Sequence, residues 1–253
     1  MNKSGHLALG VASAAVGLLQ IPKSLSATET IVFMAAAAVA SLLPDLDHKT
    51  STMSNLVQLK AKYRSLSKVV GGILLAVGIL SWVMGWGMAA LLIGGGSAAL
   101  GLSRLRNIAL LLAGITLLYI HFQLGSHWIV AVMGGALCIM PAVKHRGFIH
   151  SPEFAVLLSI GLYTFQQEQT SIVQAAAIGL IIGWWAHLLG DIFGREGITF
   201  LVLPKIKLAL RWFDNGGIVE KVIARSLWLI SVPLVVYYLL QSSGSREILT
   251  ILQ

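Results

Sequence analysis

Charge is scarce in this chain. Of 253 residues, 11% are Asp, Glu, Lys or Arg and 57% are hydrophobic, whereas a soluble domain carries about 25% charged residues. Too few charges remain to cover a water-exposed surface, which excludes an ordinary soluble enzyme. Cysteine is scarcer still. The single Cys138 permits no intramolecular disulfide and no cysteine-built zinc site, and within its apolar run it reads as a small packing residue. Several catalytic signatures are also missing. No His-Glu-x-x-His occurs, which disfavours a zincin-type protease. Gly94-Gly95-Gly96-Ser97 lacks the lysine of a phosphate-binding loop and reads as close helix packing. Gly101-Leu102-Ser103 and Gly125-Ser126-His127 are not nucleophile elbows. Lys3 alone stands where a signal peptide has its basic region, and no small-x-small site precedes a soluble domain, so no cleavable signal is expected.

Long uncharged runs are present instead. Ile31 to Leu43, Val69 to Trp82, Ala109 to Ile120 and Ile172 to Leu189 hold no charge. They predict an all-α, polytopic transmembrane bundle of about nine helices, near 6–20, 28–43, 69–84, 87–101, 107–122, 127–141, 153–165, 172–190 and 224–240. Some runs fall short of the roughly 20 residues of a full span, which suggests compact or tilted helices. Ser151-Pro152-Glu153 supplies an N-cap, a first-turn proline and an acidic first turn. Ala27-Thr28-Glu29 offers a similar start, and Pro22 and Pro44 close the first two helices. With no repeat or linker, residues 1–253 read as one membrane domain.

Alternating sides along these helices segregates the cations. If the N-terminus lies on one side, all eighteen Lys and Arg residues except Lys23 and Arg246 fall on that side, counting Arg225 at its boundary. The positive-inside rule then makes that face cytoplasmic and places the C-terminus outside. The formal charge of +8 is thereby explained by topology, and no nucleic-acid partner is expected.

The same face gathers the residues that can bind metal. His6 opens the first helix, and Pro44-Asp45-Leu46-Asp47-His48 follows the second. Lys144-His145-Arg146-Gly147-Phe148-Ile149-His150-Ser151 precedes the seventh, and His187-Leu188-Leu189-Gly190-Asp191 closes the eighth. His187 and Asp191 are four apart and share a helix face. Imidazole and carboxylate suit zinc, with manganese or iron as alternatives. His145 and His150 bracket a glycine turn. Asp47 can orient a ligand histidine or act as a base. The expected ligands are His6, Asp45, His48, His145, His150, His187 and Asp191, binding one to three divalent ions. Asp47, Arg146 and Arg195 are the candidate catalytic residues, the arginines as phosphate contacts.

Each residue also has a plain structural reading. His6 can be interfacial, Asp45 or Asp47 a turn former, His145 part of a basic loop, and His187 with Asp191 a simple ion pair. Their convergence on one membrane face favours the metal. His121 and His127 fall toward the other face and read as interfacial polar residues. Trp184-Trp185 reads as part of an aromatic belt. In the longest loop, 195–221, the basic and apolar residues of Ile206 to Phe213 have helical spacing and predict an amphipathic interfacial helix resting on anionic lipid.

These segments resemble the YdjM-like family of bacterial inner-membrane proteins, described as metal-dependent hydrolases. The matching residues are His6, Leu43 to His48, His145 to Ser151, and His187 to Ile192 with Gly197; Asn215-Gly216-Gly217 and Glu220 are similar to the family's C-terminal loop. Ile149 and Gly194 stand where the family often has threonine, which weakens any hydroxyl role there. The order of ligands is more distantly similar to zinc-dependent phospholipase C and related single-strand nucleases. The resemblance implies a membrane-bound hydrolase, and the expected substrate is a phosphoester of a membrane lipid or lipid-linked molecule. The rival expectations are a transporter with an ion pathway and a non-catalytic scaffold holding a structural metal.

Overall fold

Nine α-helices run through the described residues of the computed structural model, which are 1–21, 25–47, 59–142, 148–203 and 206–241. They are α1 (Lys3–Leu18), α2 (Ala27–Ala40), α3 (Ala61–Val83), α4 (Ala89–Ser103), α5 (Leu105–Leu124), α6 (Trp128–Ile139), α7 (Pro152–Gln166), α8 (Ser171–Phe193) and α9 (Ile218–Gln241). Short 3-10 turns, Leu43–Asp47 and Phe148–His150, follow α2 and precede α7. The all-α expectation holds. Five segments have the length and hydropathy of a membrane span: 27–45, α3, α5, α8 and α9.

Local chemistry sets the helix starts. Ser151 Oγ accepts from Phe154 N at 3.1 Å with Pro152 in the first turn, as the sequence predicts. The cap of α2 is Ser26, just before the expected Ala27-Thr28-Glu29 start. Ser26 and Glu29 form a capping box, in which each side chain takes the other's backbone N–H. Helix α3 begins eight residues before the expected 69, because Lys62, Arg64 and Lys68 are helical despite their charge. Straight-chain basic residues are good helix formers.

Helices α1, α2 and α8 form the centre, with α9 against α1 and α7 against α8; α3 pairs with α4 and α5 with α6. Side-chain size explains the centre. A Cβ at Gly179 would run into the carbonyl of Phe33, and one at Gly183 into that of Ala37. Two glycines four apart on α8 therefore let α2 lie almost backbone to backbone against it. Phe33, Ala37, Ala14 and Leu18 fill the adjoining core. A second core joins Phe154 and Leu158 of α7 to Trp184 and Leu188 of α8. Trp184, expected in an aromatic belt, is buried here, its ring centroid 5.5 Å from that of Phe154; the hydrophobic gain of burying so large a ring outweighs its amphipathic preference.

The connection from α8 to α9 departs from the sequence reading. Over Ile206 to Phe213 the described chain forms no helix; it is a strand at Lys207–Leu208 and turns at Arg211, whose φ is 56°. Strand β2 (Lys207–Leu208) pairs antiparallel with β1 (Ile198–Thr199). Beyond it, Leu210 N donates to Ile192 O at 2.7 Å and Trp212 N to Phe193 O at 2.9 Å. These bonds satisfy carbonyls at the end of α8 that have no partner within their own helix, and they occupy N–H groups that a helix over 206–213 would need. Glu153 fastens the hairpin to α7 by accepting from Leu201 N and Val202 N at 2.9 and 3.1 Å.

Candidate metal centre

The end of α8 carries the site. His187 and Asp191 lie on one face, four residues apart, with His187 Nε2 3.5 Å from Asp191 Oδ2. Across from them, α1 brings His6 until its Nε2 is 3.4 Å from Asp191 Oδ1. The His6 and His187 rings stack with centroids 3.9 Å apart. Room for this approach comes from Gly190, where a Cβ would stand 3.0 Å from His6 Nδ1. On the other side, the 3-10 turn after α2 brings Asp45 Oδ1 to 3.5 Å from His150 Nε2 and 3.9 Å from His187 Nε2.

Two overlapping triads result, His6 with His187 and Asp191, and Asp45 with His150 and His187. Within each, the potential ligand atoms lie within 4.8 Å of one another. His187 belongs to both. Its Nδ1 lies 2.8 Å from the carbonyl oxygen of Ser41. Donation of Nδ1–H to that carbonyl fixes the tautomer and leaves the Nε2 lone pair facing the carboxylates, the usual arrangement behind a ligating histidine.

The spacing fits a cation better than direct hydrogen bonds. Protein N–H···O bonds close at about 2.9–3.0 Å, and the histidine–aspartate nitrogen–oxygen separations here are 3.4 to 3.9 Å, although the N-terminal ammonium of Met1 does donate to Asp191 Oδ1 at 3.0 Å. Ligands about 2.1 Å from one zinc ion in tetrahedral array stand about 3.4 Å apart. Both ring nitrogens of His6, and Nε2 of His187, are buried with no hydrogen-bond partner. An unsatisfied buried polar atom costs about 1–3 kcal/mol, a penalty that coordination removes at the one ring nitrogen each imidazole offers a metal. Four of the five side chains are 0–1% exposed, and Asp45 is 24% exposed, so the cluster is open on the Asp45 side. Burial holds the His150 imidazole below its ordinary value of 6.5, while Asp45 acts in the opposite sense. A neutral ring keeps the lone pair that coordination requires.

Of the seven expected ligands, the structure brings together His6, Asp45, His150, His187 and Asp191. His48, His145 and Arg146 lie outside the described residues, and Asp47 is described only by its backbone. Arg195 is not brought into the cluster's contacts. It is exposed and pairs with Asp214. His121 and His127 serve helix ends: His121 Nδ1 lies 2.7 Å from Ser126 O, and His127 caps α6.

One supporting group carried no assigned role in the sequence reading beyond its place in a motif. Glu220, buried at the start of α9, accepts from Asn2 N at 2.7 Å and from Gly216 N at 2.6 Å. Asn2 in turn caps α1 by accepting from Gly5 N at 2.9 Å. The carboxylate thereby sets the start of the helix that presents His6. Its only sequence signal is an acid near a glycine pair, a pattern common at helix starts.

Neither a curated protein nor a solved structure matches the chain significantly. The family model described as YdjM inner membrane protein matches residues 1–248, and the chain belongs to that family.

Proposed function

We propose that this inner-membrane protein is a metal-dependent hydrolase that cleaves a phosphoester of a membrane lipid or lipid-linked substrate at the cytoplasmic surface. The observation that carries the reading is the pair of His/Asp triads joined through His187 and buried except at Asp45. The set of three imidazoles and two carboxylates suits zinc, and also manganese or iron. A divalent ion held there supplies Lewis acidity toward a phosphoryl oxygen and eases deprotonation of water.

The chain's own residues do the rest. Ser41 orients His187 through its carbonyl, and Glu220 fixes the helix that carries His6. Asp45, the one partly exposed member, marks the side from which substrate approaches. Asp47 is proposed to accept the proton of the attacking water. Arg146 is proposed to contact the phosphate. Arg195 would join it only by exchanging its Asp214 partner for phosphate. The segregation of cations supports a cytoplasmic N-terminus; reporter fusions at Ser65 and Ser245 should report opposite sides, and equal reporting would overturn that topology.

The decisive experiment purifies the full chain in detergent, measures bound zinc, manganese and iron, and follows phosphate-ester cleavage in phospholipids and lipid phosphates. Metal together with turnover is expected. Asp47→Asn should retain metal and lose about 10²-fold in turnover. A chain that binds no metal overturns the centre. A chain that binds metal but turns over none of these substrates overturns the hydrolase and favours a scaffold with a structural ion.

A further inference from the structure

The side of α8 largely turned away from His187 and Asp191 bears an apolar groove of about 580 Å3. Trp185, Leu189 and Ile192 form its floor and Ile198, Phe200 and Leu208 its roof. At 100° per residue the floor residues stand well around the helix from the metal-facing pair. The roof follows strand alternation. Ile198 and Leu208 are register partners, and Phe200 comes two residues after Ile198, so one face of the hairpin is apolar and meets α8. Thr199 and Lys207 take the other face. Ser13 of α1 and Pro152 of α7 close the sides.

The volume lies within the range of about 300–1,000 Å3 typical of small-ligand sites, and apart from Ser13 the side chains are apolar or tryptophan. The groove is continuous with the outer surface of a candidate span, where Leu189 and Trp185 are about 40% exposed (43% and 39%). Hydrocarbon is the solvent such a surface meets. The same chain segment that forms the roof carries Lys207 and Arg211, both exposed, and neither makes an ion pair with a described residue. Between them and around them, Val202, Ile206, Leu210 and Trp212 are also half or more exposed, or nearly so. Cations among apolar side chains next to a span mark the headgroup level of a bilayer.

We propose that this groove binds one acyl chain of an anionic phospholipid from the surrounding bilayer, with the phosphate at the hairpin's edge, where the long side chains of Arg211 and of Lys207, which rises from the opposite face, reach around to it. The continuity with the span's outer surface selects a lipid, and the two cations select an anionic one. Because the groove lies across α8 from the metal centre, this is a site distinct from the catalytic one. A bound chain would clamp the hairpin onto the helix turns that present His187 and Asp191. The assignment does not depend on the hydrolase reading.

The test is native mass spectrometry of the full chain, delipidated in detergent and titrated separately with dioleoyl phosphatidylglycerol and dioleoyl phosphatidylcholine. One phosphatidylglycerol should be retained with a preference of about tenfold or more over phosphatidylcholine, in keeping with two surface cations. The double variant Lys207→Glu, Arg211→Glu should lose that preference. Leu189→Trp, which fills the floor, should weaken binding of both lipids while Lys207 and Arg211 remain. Thermal unfolding of each variant establishes that it is folded. Equal retention of the two lipids by the unmodified chain, or unchanged retention in folded Leu189→Trp, would overturn the proposal.

Discussion

Helices α8 and α5 are nearly equal as candidate spans, with window hydropathies of 1.8 and 1.7, yet 44% of the α8 window is buried inside the protein and only 6% of the α5 window. Hydropathy therefore does not decide which helix is central. Side-chain size does. On α8, Gly179, Gly183 and Gly190 each stand where a Cβ would meet another segment, whereas α5 has one such position, Gly114 against α6. In a bilayer no hydrophobic force distinguishes lipid from protein neighbours, so close backbone approach and polar contacts choose the partners. The closely packed region holds the His and Asp groups that could bind a metal; the pairs α3–α4 and α5–α6 leave large apolar side chains such as Val83, Leu112 and Phe122 exposed.

The sharpest way to break this contrast is at the histidines. His187→Ala removes the residue shared by both triads and should lower metal affinity by more than the roughly 10–100-fold typical of losing a supporting partner. His121→Ala, at the end of α5, should leave metal content unchanged by elemental analysis. The reverse outcome would remove the centre from α8.

A smaller effect is expected from crowding. Gly183→Leu drives a side chain into the Ala37 backbone and should destabilise the detergent-solubilised protein by about 1–3 kcal/mol or more, with loss of metal as α2 and Asp45 move away. Gly72→Leu on α3, where nothing lies within 4 Å, should leave thermal unfolding and metal content as they are. Similar destabilisation by both would show that the two regions are equally packed.

Smaller still is Glu220→Gln. The amide keeps the shape and an acceptor but loses the charge, so about 1–2 kcal/mol of stability should go. Metal content should persist, with a weakened affinity read by chelator competition. An affinity unchanged at lower stability would show that the α1 anchor does not tune the centre.

How far the sequence foretold this follows from the nature of each interaction. The helices were legible because uncharged runs of apolar residues have few other uses, and Ser151-Pro152 marks a helix start by its own chemistry. The membership of His6, Asp45, His150, His187 and Asp191 in one cluster was legible because alternating sides put them on one face. The sharing of His187 was not, since it depends on how closely α1 and α2 approach α8. Nor was Ser41, which acts through its carbonyl and leaves no trace in residue type. The hairpin after α8 was misread because Ile206 to Phe213 has helical spacing. Its backbone N–H groups instead find carbonyls at the end of α8, a choice made by tertiary structure.

The bond between Asn2 and Glu220 spans 218 positions of sequence. Such a separation places the contact among the slowest to form, since the intervening chain must first be confined. On the ribosome, α1 emerges early and waits through the synthesis of seven further helices before α9 can fasten it. His6 thus reaches its final register only after α9 has been made. The order of synthesis would make completion of the His and Asp cluster a late event in biogenesis, and a nascent chain stalled before α9 would carry an unanchored first helix and an incomplete cluster.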